Sequence, residues 1–117
     1  MKSFKEFLKE NQEPLCEMAT VCPKKEGYGF ILKIYSNDHE PAHMHMIDLG
    51  GVEITRIMLT NKKPSKINDI VEYPKDPIID NNLKRKVLEW SKNKSKTDIN
   101  NWIRAIDFWN TYQDEEK

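Results

Sequence analysis

GYGFILKIYSNDHEPAHMHMIDLGGVEITRIML, residues 27–59, is the stretch on which the fold turns. From Gly27 to Ser36 the side chains alternate as in a strand. Phe30, Leu32 and Ile34 fall on one face, while Ile31 and Tyr35 make the other face partly apolar too. Apolar residues on both faces point to a central strand. The Asn37–Pro41 segment then breaks it, because Asn and Asp side chains bond their own backbone and favour turns. His43 to Asp48 resumes as a strand, Leu49-Gly50-Gly51 signals a turn, and Val52 to Leu59 reads as a third strand.

Upstream, residues 3–11 have the pattern of a short amphipathic helix. Ser3 and Glu6 match a capping box, and Phe4, Phe7 and Leu8 share a face. The connector from Asn11 to Lys25 carries Pro14 and Pro23, and Leu15 to Val21 within it reads as a short strand or turn. Downstream, Ile67 to Tyr73 fits a fourth strand or a short helix, and Pro74-Lys75-Asp76-Pro77 closes the sheet portion. Asp80 has the chemistry of a helix cap for a helix to about Asn93, with Leu83, Val87 and Trp90 on one stripe. Thr97 or Asp98 is the expected cap of a last helix carrying Ile99, Trp102, Ile103, Ile106 and Trp109 or Tyr112.

Strands first and helices after predict an α+β domain. The expected architecture is a small antiparallel sheet of three to four strands packed on two C-terminal helices, plus a short N-terminal helix. Residues 1–22 are then helix and connector, 23–112 a single domain, and 113–117 a polar tail.

The 117 residues are ample for one domain core. Formal net charge is zero, so the whole-chain field gives no reason to expect nucleic acid or an acidic membrane as a partner. No apolar run approaches the ~20 residues of a membrane span, and the N-terminus lacks the apolar core of a secretory signal. Two cysteines, Cys16 and Cys22, are too few for a disulfide scaffold, so a cytoplasmic chain with reduced thiols is expected.

All three histidines, His39, His43 and His45, lie within seven residues. Imidazole titrates near neutral pH and is the commonest metal ligand. In a strand, His43 and His45 point to one face. They can share one divalent ion, zinc or manganese, with His39 folding back as a third ligand and Asp38 or Glu40 supplying a carboxylate or orienting an imidazole. Three ligands and an open position suit hydrolysis by an activated water. Without metal, the same histidines could act as general base and general acid in RNA cleavage, with Tyr35, Lys33 or Arg56 stabilising phosphate charge. The plain alternative is turn chemistry followed by half-buried sheet histidines. Joining Cys16 and Cys22 to His43 and His45 would make a Cys₂His₂ zinc site, but their spacing is not that of a zinc finger.

A second cationic feature is the helix bearing Lys84, Arg85, Lys86 and Lys92, with Lys94 and Lys96 just beyond it. Lys84, Arg85 and Lys92 are candidate nucleic-acid contacts, although a solvated face opposite a Leu83-Val87-Trp90 core stripe explains them better. Trp90, Trp102 and Trp109 have core spacing.

The segment Ile34-Tyr35-Ser36-Asn37-Asp38-His39-Glu40-Pro41-Ala42-His43-Met44-His45 resembles the signature of an uncharacterised family of small bacterial proteins, a strand ending in Asn-Asp-His-x-Pro-Pro-His-x-His. Leu83 to Trp90 and Asn101-Trp102 look like that family's two later helices, and Ala42 stands where its second proline is usual. Its members are often encoded beside small antitoxin-like or DNA-binding partners. The resemblance therefore implies a toxin–antitoxin or defence setting and an activity directed at nucleic acid. Met1 to Glu10 is also similar to the capsid-targeting leader of internal proteins in T-even-type phages, with Leu8-Lys9-Glu10 as the cleavage site; this implies a packaged, injected protein.

Two functions follow as expectations. One is a toxin-like nuclease or hydrolase acting through His39, His43 and His45. The other is a non-catalytic binding module, an antitoxin-like regulator or an anti-defence inhibitor of a host partner.

Overall fold

The computed structural model describes residues 18–36, 38–73, 78–95 and 98–115. Four strands form one antiparallel meander in the order β1-β2-β3-β4: β1 Met18–Cys22, β2 Ile31–Tyr35, β3 His43–Ile47 and β4 Glu53–Met58. Two helices follow, α1 Asn81–Lys92 and α2 Asn101–Glu115. The α+β expectation holds, with four strands and two C-terminal helices. The helix expected at residues 3–11 lies outside the described residues. No helix among those described is long and apolar enough to cross a membrane.

Alternation sorts the sheet into two faces. Leu32 and Ile34 of β2, Met44 and Met46 of β3 and Ile57 of β4 are fully buried on one face. They join Val87, Trp90, Trp102, Ala105 and Trp109 of the helices in one core. The tryptophans are therefore core residues, as their spacing predicted. Trp102 also donates its indole N–H to the Thr60 carbonyl at 2.8 Å. His43, His45 and Ile47 point to the other face, yet they too are buried, so β3 is covered on both sides.

Several boundaries move for identifiable reasons. β2 begins at Ile31, not Gly27, because Gly27 and Gly29 adopt positive φ after a 3₁₀ turn at Lys24–Glu26. β1 realises the strand alternative for the Leu15–Val21 part of the connector, over Met18–Cys22. Its register shifts between Thr20 and Cys22, so Val21 and Cys22 are consecutive and both fully buried. Ile67–Asp69 is a 3₁₀ turn, after which residues 71–73 add to the free edge of β4. There Met58 N–H donates to the Val71 carbonyl and Tyr73 N–H to that of Arg56, each at 2.8 Å.

Asp80 caps α1, accepting from Leu83 N at 2.9 Å. The cap of α2 is Asn100, whose Oδ1 accepts from Ile103 N at 2.9 Å, rather than Asp98; Thr97 lies outside the described residues. The β3–β4 turn is built by Asp48, whose carboxylate accepts from Gly50 N and Val52 N, both at 2.9 Å. This places the two strands that frame the histidines.

Candidate metal centre

Asp38, three residues beyond the end of β2, brings one oxygen to both strand histidines. Its Oδ2 lies 2.7 Å from His45 Nε2 and 3.3 Å from His43 Nε2. One ligand atom from each of the three residues lies within 4.8 Å of the others, so Asp38, His43 and His45 are close enough to hold a metal ion. Of the two roles expected for Asp38, supplying a carboxylate or orienting an imidazole, its place in this group fits the first. His39, expected as the third ligand, is exposed and outside this group, and Glu40 is exposed as well. In a strand the i and i+2 positions converge on one face, whereas His39 sits in the loop with no such constraint.

Proton placement follows from the partners, since hydrogens are assigned from the network. His43 Nδ1 donates to the Pro41 carbonyl at 2.7 Å. In a neutral ring the lone pair then sits on Nε2. That atom is buried and has no hydrogen-bond partner among the described residues, although a carboxylate oxygen is 3.3 Å away. A lone pair facing a carboxylate repels it unless a proton or a cation lies between them. His45 differs in that both ring nitrogens meet carboxylates: Nδ1 is hydrogen-bonded to Glu53 Oε1 and Nε2 donates to Asp38 Oδ2 at 2.7 Å. Carboxylate and carbonyl acceptors on the far nitrogens are the usual outer support of metal-bound histidines.

Glu53 has no counterpart in the sequence reading. Its position depends on a β-bulge: the regular pairing runs from His43↔Met58 to Met46↔Thr55, and then Ile47 pairs with Glu53. Unbulged pairing would put residue 54 opposite Ile47 and turn Glu53 to the Met44–Met46 face. The extra residue re-aims the carboxylate toward the histidines. Partial burial opposes ionisation of Glu53, but the hydrogen bond and charge of His45, with Arg56 3.5 Å away, hold its carboxyl below the ordinary glutamate range.

The remaining wall is aromatic. The Tyr35 ring meets His45 edge-on at 4.7 Å, and Tyr73 and Trp109 each lie 5.4 Å from the His43 ring. Gln113, expected in a polar tail, is part of α2 and donates to the Asp38 carbonyl at 3.2 Å. The last helix therefore reaches the loop that carries Asp38.

Other candidates fall elsewhere. Cys22 is fully buried in the core and outside the ligand group, with its thiol pushed up to about 12 by burial and by nearby Glu26; Cys16 lies outside the described residues. A Cys₂His₂ site is therefore not assembled around Cys22. Lys84, Arg85 and Lys92 lie on α1, which packs against α2 and the Ile67–Asp69 turn, not on the strands bearing the histidines. Comparison with protein-family models, curated proteins and solved structures found no match to this chain.

Proposed function

We propose that this chain binds one divalent ion, zinc or manganese, at Asp38, His43 and His45 and uses it to hydrolyse nucleic-acid phosphodiesters. The setting would be a cytoplasmic toxin-like or defence-related role, as the family resemblance implies. The observation that carries the reading is the buried His43 Nε2, left without a hydrogen-bond partner beside Asp38 Oδ2 and on the same face as His45. A divalent ion held by three protein ligands keeps a position open and makes a water nucleophilic at neutral pH. The chain's own residues orient this centre: Glu53 fixes the His45 tautomer, the Pro41 carbonyl fixes that of His43, and Gln113 steadies the Asp38 loop.

The test is cleavage of RNA and DNA by tag-free protein supplied with zinc or manganese. Cleavage that a chelator stops, and that is lost in a His43→Ala/His45→Ala variant, is the expected result. A wild type that cuts neither polymer and leaves growth unchanged on induction contradicts the hydrolytic part.

Burial of the two histidines, 3% and 7% exposed, favours a second reading in which the ion only locks the loop and the protein is a binding module. Its partner would be an antitoxin-like or host defence protein. Stoichiometric metal without cleavage, together with a specific complex in pull-down and size exclusion, would select it.

A further inference from the structure

We propose that Lys33 and Arg56 form a cationic cradle for a phosphate ester on either side of His45. The inference rests on the metal-centre reading for what lies between them, and it names the class of anion that the centre takes. In the sheet register Lys33 is opposite His45 on one side and Arg56 opposite it on the other. Directly opposed residues of antiparallel strands project from the same face, so the three side chains form one row. With strands about 4.8 Å apart, the two cations start roughly 10 Å from each other and straddle the imidazole.

Their surroundings suit a ligand better than a purely structural role. Among the described residues Arg56 is held at one end: its Nε lies 3.5 Å from Glu53 Oε1, while its side chain is 39% exposed. That contact orients the planar guanidinium and leaves its outer N–H groups as a fork for oxyanions. Lys33 is half-buried and forms no ion pair among the described residues. With a divalent ion bound, the positive groups exceed the carboxylates Asp38 and Glu53, so the face favours an anionic guest.

A phosphate ester matches the geometry. Its tetrahedral oxygens can meet the metal, the lysine and the arginine at once, whereas a carboxylate offers only two oxygens. Both diesters within a nucleic-acid strand and terminal monoesters share this chemistry.

Binding, not turnover, tests the cradle. A fluorescein-labelled eight-nucleotide single strand without terminal phosphate and inorganic phosphate are titrated into metal-supplied wild type, Lys33→Gln, Arg56→Gln and the double variant. Metal content and melting temperature are measured on the same samples. Each single variant should weaken binding of one or both probes by roughly tenfold or more, the loss expected for one charge-assisted contact, with metal content unchanged. Binding of the strand assigns a diester, and binding of inorganic phosphate alone assigns a terminal phosphate. The cradle is overturned if the double variant, folded by its melting curve, binds as wild type does, or if neither probe binds. It is equally overturned if Lys84→Gln/Arg85→Gln, on α1, abolishes binding instead. A wild type that takes up no metal defeats the centre itself, and that outcome is read directly from the metal content.

Discussion

At Glu53 a single carboxylate decides which nitrogen of His45 is available. With Nδ1 hydrogen-bonded to Glu53, Nε2 is the nitrogen turned to the space shared with Asp38 and His43; it donates to Asp38 Oδ2 at 2.7 Å, and a bound ion would replace that proton. Glu53→Gln keeps all three ligands but weakens the acceptor, so metal affinity should fall 10- to 100-fold, as for other outer-shell partners. Competition with a chromophoric chelator measures it. Because the Glu53 carboxyl is held below its ordinary range, its contribution to stability is present above that range and fades as pH falls through the lowered value. Cys22 makes a different residue-scale prediction. Its thiol rises from the ordinary 9.0 to about 12, so it stays protonated in the folded chain at pH 8. In a Cys16→Ser background it should resist a thiol reagent until the protein unfolds. The sign also follows: stability is full below pH 9.0 and declines as pH rises from there to about 12, as the unfolded thiol ionises first.

Among the elements, the strands framing the histidines were legible and their fine register was not. The alternation of Phe30, Leu32 and Ile34 and the Leu49-Gly50-Gly51 turn revealed β2, β3 and β4. The shared face of His43 and His45 followed from strand periodicity alone. The bulge that turns Glu53 toward them is not encoded in any local pattern, because it depends on how two strands pair. Asp38 was read as a turn-former, since nothing in the sequence shows that its carboxylate folds back onto β3. The role of His39 depends on how its loop closes, which strand periodicity does not determine, and in the structure it stays exposed. The helix caps divide the same way: Asp80 was legible, whereas Asn100 was hidden behind two equally good candidates. Asp80→Ala should cost about 1 kcal/mol in urea unfolding. Asn101 joins the helices, donating its side-chain N–H to Trp90 O at 2.8 Å and its backbone N–H to Asn93 O at 2.8 Å. It is fully buried, so Asn101→Ala should cost about 1–3 kcal/mol by the same measurement, through the polar partners left behind.

For the whole molecule, the proposed centre ties together parts that are distant in the chain. Asp38 belongs to the β2–β3 loop, the histidines to β3, Glu53 to β4, and Gln113 links α2 back to Asp38. An ion that binds only the folded state adds about 2.7 kcal/mol when present at a hundredfold excess over its dissociation constant. For a domain of this size that corresponds to a rise in melting temperature on the order of 10 °C. The rise should vanish in His43→Ala/His45→Ala, while an exposed variant such as His39→Ala should keep it. The most direct test of the central claim is elemental analysis of tag-free protein after incubation with zinc or manganese and removal of excess ion. One divalent ion per chain is expected in wild type and in His39→Ala, and none in Asp38→Ala or His43→Ala/His45→Ala. A wild-type chain free of bound metal, or metal retained equally by the ligand variants, would contradict it.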